Sequence, residues 1–165
     1  MRYNKIRKMD IADGPGVRVS IFMQGCTFNC KNCFNPETHD FNGGKEFTDS
    51  TINRVLELCE NENIEGLSIL GGEPMNPKNI EGTTKLAKAF KQKFPDKNLW
   101  AWSGFRFDKE LKDKEVVKYL DVLVDGQYVD ELRDPRLKYN GSSNQRVIDV
   151  QNSVKQGKVI FYKDK

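Results

Sequence analysis

Three cysteines in one short stretch constrain this chain more than any other feature. Gly25 to Asn35 reads Gly-Cys-Thr-Phe-Asn-Cys-Lys-Asn-Cys-Phe-Asn, with gaps of three and then two residues separating Cys26, Cys30 and Cys33. Thiolates are soft ligands that suit iron–sulfur clusters, zinc and copper(I), and a loop this short can curl so that its sulfurs face one metal centre. Electron-carrying 4Fe–4S clusters use four cysteines. Here three are local, so one iron of such a cluster would keep an open position for a substrate or a second cofactor. Two other readings use the same residues. His39 follows Cys33 after five residues, so Cys26, Cys30, Cys33 and His39 can also form a closed tetrahedral zinc site. A disulfide with a spare thiol is the third reading, and it suits an oxidising compartment.

The rest of the composition points to a reducing one. The chain has 165 residues, enough for a single domain spanning 1–165 that buries roughly 70% of its unfolded surface without disulfides. Its net charge is +3, with Lys and Arg interspersed among Asp and Glu, unlike the clustered basic face of a nucleic-acid binder. No stretch approaches the ~20 apolar residues of a membrane span, and Met1 to Asp10 is charged, without the apolar core of an export signal. A cytoplasmic protein with no nucleic-acid or membrane partner is expected.

Hydrophobic periodicity organises the chain around the cysteine loop. Asp13-Gly14-Pro15-Gly16 is a turn. Val17, Val19 and Ile21 then alternate with Arg18, Ser20 and Phe22, which predicts a strand over Val17–Met23 that runs directly into the loop. Asn42-Gly43-Gly44 is a flexible turn, with no Gly-Lys-Ser/Thr element after it to mark a phosphate loop. A helix follows, capped by Thr48 or Ser50, with Ile52, Val55, Leu56 and Cys59 on one face; that spacing suits Cys59 as a buried small hydrophobe, the alternative being a fourth cluster ligand. Gly66–Leu70 reads as a second strand ending in Gly71-Gly72-Glu73-Pro74, where two glycines let a ligand approach the backbone. Asn79–Phe94 is a second helix, with Ile80, Thr83, Ala87, Phe90 and Phe94 inward. Leu99–Trp102 is a third strand with both tryptophans on one face. Asp108–Leu120 reads as helical, and Asp121–Asp125 as a fourth strand, whose terminal Asp125 either faces the site or caps a neighbour. Val147–Val150 and Lys158–Tyr162 are expected to form a terminal β-pair around Gln156-Gly157. Strands alternating with helices imply an α/β fold with a parallel sheet. The chain is too short for a closed eight-unit barrel of ~250 residues, so an open partial (β/α) barrel is expected, with its special loops at the carboxyl ends of the strands.

The cysteine spacing resembles the signature of the radical S-adenosylmethionine (SAM) superfamily, and Gly71-Gly72-Glu73-Pro74 resembles its glycine-rich SAM-binding loop. Asp13-Gly14-Pro15-Gly16-Val17-Arg18 is similar to the opening of the glycyl-radical activases. More narrowly, the chain resembles the activases of anaerobic ribonucleoside-triphosphate reductase. That likeness rests on Phe34-Asn35, Trp100-Ala101-Trp102-Ser103-Gly104, Val124-Asp125-Gly126 and Gly141-Ser142-Ser143-Asn144-Gln145, and it extends to about Arg146. Many radical SAM enzymes carry an aromatic just before the third cysteine; here that position is Asn32 and Phe34 follows, as in the reductase activases. Glu73 stands where some relatives have Asp.

The resemblance implies a partial barrel of the radical SAM type and a 4Fe–4S cluster on Cys26, Cys30 and Cys33, with SAM on the open iron. Asn32, Cys33 and Phe34 would lie against SAM, and Gly72 would give backbone approach to its methionyl part. One-electron reduction cleaves SAM to a 5′-deoxyadenosyl radical, which takes a hydrogen atom from a glycine of the reductase catalytic subunit. No side-chain acid or base is implied, so the conventional catalytic list is empty. A low-potential donor such as flavodoxin or ferredoxin is expected, and the rivals within the class are a pyruvate formate-lyase activase and a small-molecule carboxy-deazaguanine synthase.

Overall fold

A computed structural model describes residues 1–164 as a mixed α/β fold built on one seven-stranded sheet. The strands are β1 (Arg2–Asp10), β2 (Arg18–Gln24), β3 (Lys45–Glu46), β4 (Gly66–Gly71), β5 (Asn98–Ser103), β6 (Val122–Asp125) and β7 (Arg146–Asp149), in the spatial order β3-β1-β2-β4-β5-β6-β7. The helices are α1 (Asp49–Cys59), α2 (Ile80–Lys93) and α3 (Val150–Gln156). The four expected strands are therefore present, and β2, β4, β5 and β6 pair in parallel. The parallel sheet is only the middle of the assembly, however: β1, β3 and β7 flank it antiparallel.

β1 gives no period-two signal because its register against β2 shifts twice, between Tyr3 and Lys5 and between Arg7 and Asp10. Each shift changes which face a side chain takes, so Tyr3 and Ile6 both reach the core at a spacing no regular strand would use. Thr48 is the cap of α1, and its amide donates to the Thr51 hydroxyl at 3.0 Å. Ile52, Val55 and Cys59 of α1, and Thr83, Leu86, Ala87 and Phe90 of α2, are buried against Val19, Ile21, Leu67, Ile69, Leu99 and Ala101 of the parallel strands. Trp100 and Trp102 share the opposite face, as the alternation requires, where they meet Val124, Tyr139 and Tyr162.

Two expectations change. Asp108–Leu120 is not one helix but a π-turn (Phe107–Leu111) and a 3-10 turn (Glu115–Lys118) joined by polar residues. Phe107 and Leu111 lie four apart, and a continuous helix would then bury position 115; the chain buries Val116, Val117 and Leu120 instead, so it must break between them. The terminal pair is real but short. α3 separates its halves and ends at Gly157 in the left-handed region (φ 67°), where glycine carries no Cβ penalty. The chain then returns so that Tyr162 N–H donates to Val147 and Asp149 N–H to Ile160, both at 2.9 Å.

Candidate metal and cofactor site

The loops leaving the carboxyl ends of β2, β4, β5 and β6 enclose a cavity of about 390 Å³. Cys26, Cys30 and Cys33 line it, and so do Phe34, Gly72, Glu73 and His39. All four cysteines are free thiols. The cysteine loop is held at both ends. Gly25 N–H donates to the Thr38 carbonyl at 2.6 Å, Cys26 N–H to His39 at 3.1 Å, and Cys33 N–H to Cys30 at 3.2 Å. Buried Gln24 donates its amide to the Glu37 and Asp40 carbonyls (3.0 and 2.7 Å). Asn29 and Asn32 take left-handed backbone (φ 50° and 55°), a region Asn tolerates, which lets the loop fold back within so few residues. Burial pushes the Cys26 and Cys33 thiols up.

Among the described residues, no three Cys, His, Asp or Glu side chains converge closely enough to hold a metal ion as they stand. The donor set nonetheless fits an iron–sulfur cluster. Three soft thiols on one short loop face one cavity, and Cys59 is absent from its lining. Cys59 lies fully buried in the helix-side core, its thiol pushed up to about 12 by burial.

The glycine-rich loop meets the cysteine loop edge to edge. A Cβ on Gly72 would stand 2.6 Å from the Gly25 carbonyl oxygen and 2.8 Å from that of Thr38, so Gly72 makes room for protein backbone as well as lining the cavity. Gly71 takes φ 135°. Glu73 was given no role from the sequence, yet it joins this loop to the exit of β5. Its carboxylate accepts from Gly104 N–H at 2.6 Å, the Ser103 hydroxyl at 2.7 Å and Met75 N–H at 2.9 Å. Burial pushes its carboxyl up to about 7 against those three donors. A glutamate directly after two glycines at a buried strand's end was the available signal. Gly104 in turn admits Phe28, since a Cβ there would stand 2.5 Å from its ring, and Phe28 packs edge-on to Phe105.

Of the residues expected against SAM, Cys33, Phe34 and Gly72 line the cavity. Phe34 is 60% exposed, resting on Tyr128 with centroids 5.0 Å apart. Asn32 is not part of the lining; its amide donates to Asp130 at 3.0 Å. Asp125 turns away to accept from Phe107 N–H (2.7 Å) and from Arg146 (2.6 and 2.9 Å), the capping alternative. The Gly141–Gln145 stretch braces the exit of β6: Gln145 accepts from Gly141 N–H and Ser142 N–H and donates to the Gly126 carbonyl at 3.0 Å. Asp13, at the start of the Asp13–Gly16 turn, lines another side of the cavity. Asp10 accepts from Ala12 N–H, Asp13 N–H and the Ser20 hydroxyl, while fully buried Arg18 donates to Pro15 and Ser68. Burial, and then the neighbouring Asp10, push Asp13 up to about 7.

This arrangement has counterparts. A family model described as a 4Fe-4S single cluster domain matches residues 12–148, from the Asp13 turn to β7. The anaerobic ribonucleoside-triphosphate reductase-activating protein of Enterobacteria phage T4 is 37% identical over 147 residues, covering 89% of this chain and 93% of that protein. The proteins of the same name from Escherichia coli and Vibrio cholerae are 35% and 36% identical, over 89% and 88% of this chain and 97% and 96% of their own lengths. The chain belongs to the family of anaerobic ribonucleoside-triphosphate reductase-activating proteins.

Proposed function

We propose that this chain is a radical SAM activating enzyme that generates a glycyl radical on the catalytic subunit of anaerobic ribonucleoside-triphosphate reductase. The observation that carries the reading is the cavity in which three thiols and the glycine-rich loop face each other, in a chain that aligns over nine-tenths of its length with proteins named for that activation. Cys26, Cys30 and Cys33 would hold a 4Fe–4S cluster, and SAM would bind beside it against Gly72, Phe34 and the backbone of Cys33. Together the cluster and SAM supply one-electron reductive cleavage and a carbon radical able to abstract a hydrogen atom.

The chain's own work is positioning. Gly71 and Gly72 present bare backbone to the cavity. Glu73, fixed by three donors, holds the glycine-rich loop against Ser103 and Gly104. Phe28, backed edge-on by Phe105, and Trp102 give the cavity apolar surface that would limit water around a reactive carbon. Since a hydrogen atom moves and no proton is taken, the site needs no general acid or base. The four parallel strands and their loops support an open partial barrel of the radical SAM type, in one domain. The family reading is consistent with a cytoplasmic setting and a flavodoxin- or ferredoxin-like electron donor. Among the described residues no helix is long and apolar enough to cross a membrane.

The test is to purify the protein without oxygen, assay iron and sulfide, reduce it, and record its electron paramagnetic resonance spectrum with and without SAM. The expected result is a reduced-cluster signal that changes on adding SAM, followed by a glycyl radical when the reductase is supplied. Zinc in place of iron, with no SAM-dependent signal after reconstitution, would overturn the reading in favour of a structural zinc module that uses His39.

A further inference from the structure

The two loops that face each other across the cavity are joined by a side chain that lies outside it. Asn79 stands at the N-cap position of α2 and is 1% exposed. An asparagine there ordinarily accepts a hydrogen bond from an amide of the first helical turn. Asn79 makes no such bond. Its side-chain nitrogen instead points at three main-chain carbonyls: Glu73 at 3.0 Å, Gln24 at 3.2 Å and Gly25 at 3.4 Å. Gln24 and Gly25 immediately precede Cys26, and Glu73 follows the two glycines, so one amide group reaches both loops.

The base of this bridge is rigid. Asn79 N–H donates to Asn76 at 2.7 Å, and its carbonyl accepts from Thr83 N–H at 3.0 Å, in the first turn of α2. The loops themselves share one main-chain bond beside it, Glu73 N–H to Gly25 at 2.8 Å. An amide nitrogen carries two protons, so it can serve the glycine-rich loop with one and the exit of β2 with the other. No aliphatic side chain of that shape can do so. The Glu73 and Gly25 carbonyls each keep a main-chain donor, Asn76 N–H at 3.2 Å and Glu73 N–H at 2.8 Å, so removing the amide costs the cross-link between the loops, about one buried hydrogen bond.

We propose that Asn79 is a positioning residue that fixes the cysteine loop against the glycine-rich loop and so sets where Cys26 stands relative to Gly72. The positioning is a property of the metal-free chain; only its consequence for SAM affinity rests on the function proposed above.

The test compares the full-length, metal-free parent with Asn79→Ala, with Asn79→Asp, which keeps the shape but loses the donor when ionised, and with Thr83→Val. Thr83 lies on the same helix and donates its hydroxyl to Pro74 at 2.8 Å, so its loss is a matched buried bond that does not reach the cysteine loop. Each protein is pulsed with iodoacetamide under reducing conditions, and labelling is read per cysteine by mass spectrometry. Losing about one buried hydrogen bond, at tenfold per 1.4 kcal/mol, predicts about tenfold faster labelling of Cys26 in both Asn79 variants. Cys59 should label at the parental rate, and Thr83→Val should leave Cys26 within about twofold. Equal acceleration at Cys26 and Cys59 would mean general destabilisation and overturn the proposal, as would no acceleration at Cys26. In the reconstituted proteins, iron content should match the parent while SAM binds about tenfold more weakly. A parent that takes up no iron and binds no SAM would overturn the proposed function, and the labelling pattern would still decide the role of Asn79.

Discussion

Gly72→Ala separates two reasons for a glycine at that position. If Gly72 is needed only for a ligand to approach, its replacement leaves the metal-free chain as stable as the parent. The contacts say otherwise. The new methyl would stand 2.6 Å from the Gly25 carbonyl oxygen and 2.8 Å from that of Thr38, and both are backbone atoms that cannot rotate aside. The glycine-rich loop must then withdraw, which strains or breaks the bonds from Glu73 N–H to Gly25 (2.8 Å) and from Gly25 N–H to Thr38 (2.6 Å). Overpacking of this kind costs about 1–3 kcal/mol, and a weakened hydrogen bond adds about 1 kcal/mol, so the loss expected is about 2–4 kcal/mol. At ~2–4 °C per kcal/mol for a chain of this size, a loss of 3 kcal/mol lowers the melting temperature by about 6–12 °C. Urea unfolding of the metal-free protein, followed by circular dichroism, measures it directly. A change below about 0.5 kcal/mol, within the range of neutral surface substitutions, would refute the steric argument and leave ligand approach as the reason for the glycine.

Four further outcomes are expected. Alanine at Cys26, Cys30 or Cys33 should abolish reductive SAM cleavage while Cys59→Ala leaves it nearly intact, and full activity in Cys30→Ala would sink the cluster assignment. His39→Ala should leave iron uptake at the parental level; loss of bound metal on that change would support the zinc reading. Arg146→Ala strands the fully buried carboxylate of Asp125. It should cost about 3–5 kcal/mol in urea unfolding, the range for breaking one side of a buried pair, and a cost under about 1 kcal/mol would show that the pair is solvated. Asp13 is raised to about 7 from an ordinary 3.8, so the folded chain takes up a proton there. The associated stability is complete below about pH 4 and is lost as pH rises through 7. Asp13→Asn should therefore gain on the parent between pH 5 and pH 8 in paired urea titrations, and a constant difference across that range would disprove the shift.

The elements that could be read from the sequence are those whose pattern is local and regular. Val19 and Ile21 alternate, and β2 is where they place it. Ile52, Val55 and Cys59 recur at helical spacing, and they face the core. Cys59 could be separated from the other cysteines on that spacing alone. Where the pattern is interrupted, the reading failed. The two register shifts in β1 scramble its alternation, and the break between Leu111 and Glu115 hides two short turns inside an apparent helix. At the site, the cysteine loop and the two glycines announced themselves by composition. Glu73 did not, because a glutamate is ordinary until its surroundings are known.

The sequence by itself determined which chemistry is available: three thiols within eight residues, a glycine-rich exit from a buried strand, and strands alternating with helices. These are short-range facts, set by side-chain type and by the periods of strand and helix. Only the tertiary structure decided which loops meet. Asn79 bridges to Gln24 across 55 positions, Ser103 reaches Glu73 across 30, and Arg146 finds Asp125 across 21. Such contacts leave no periodic trace, because each forms only after the sheet order has brought the carboxyl ends of β2, β4, β5 and β6 together, and that order is fixed by burying both faces of the sheet at once.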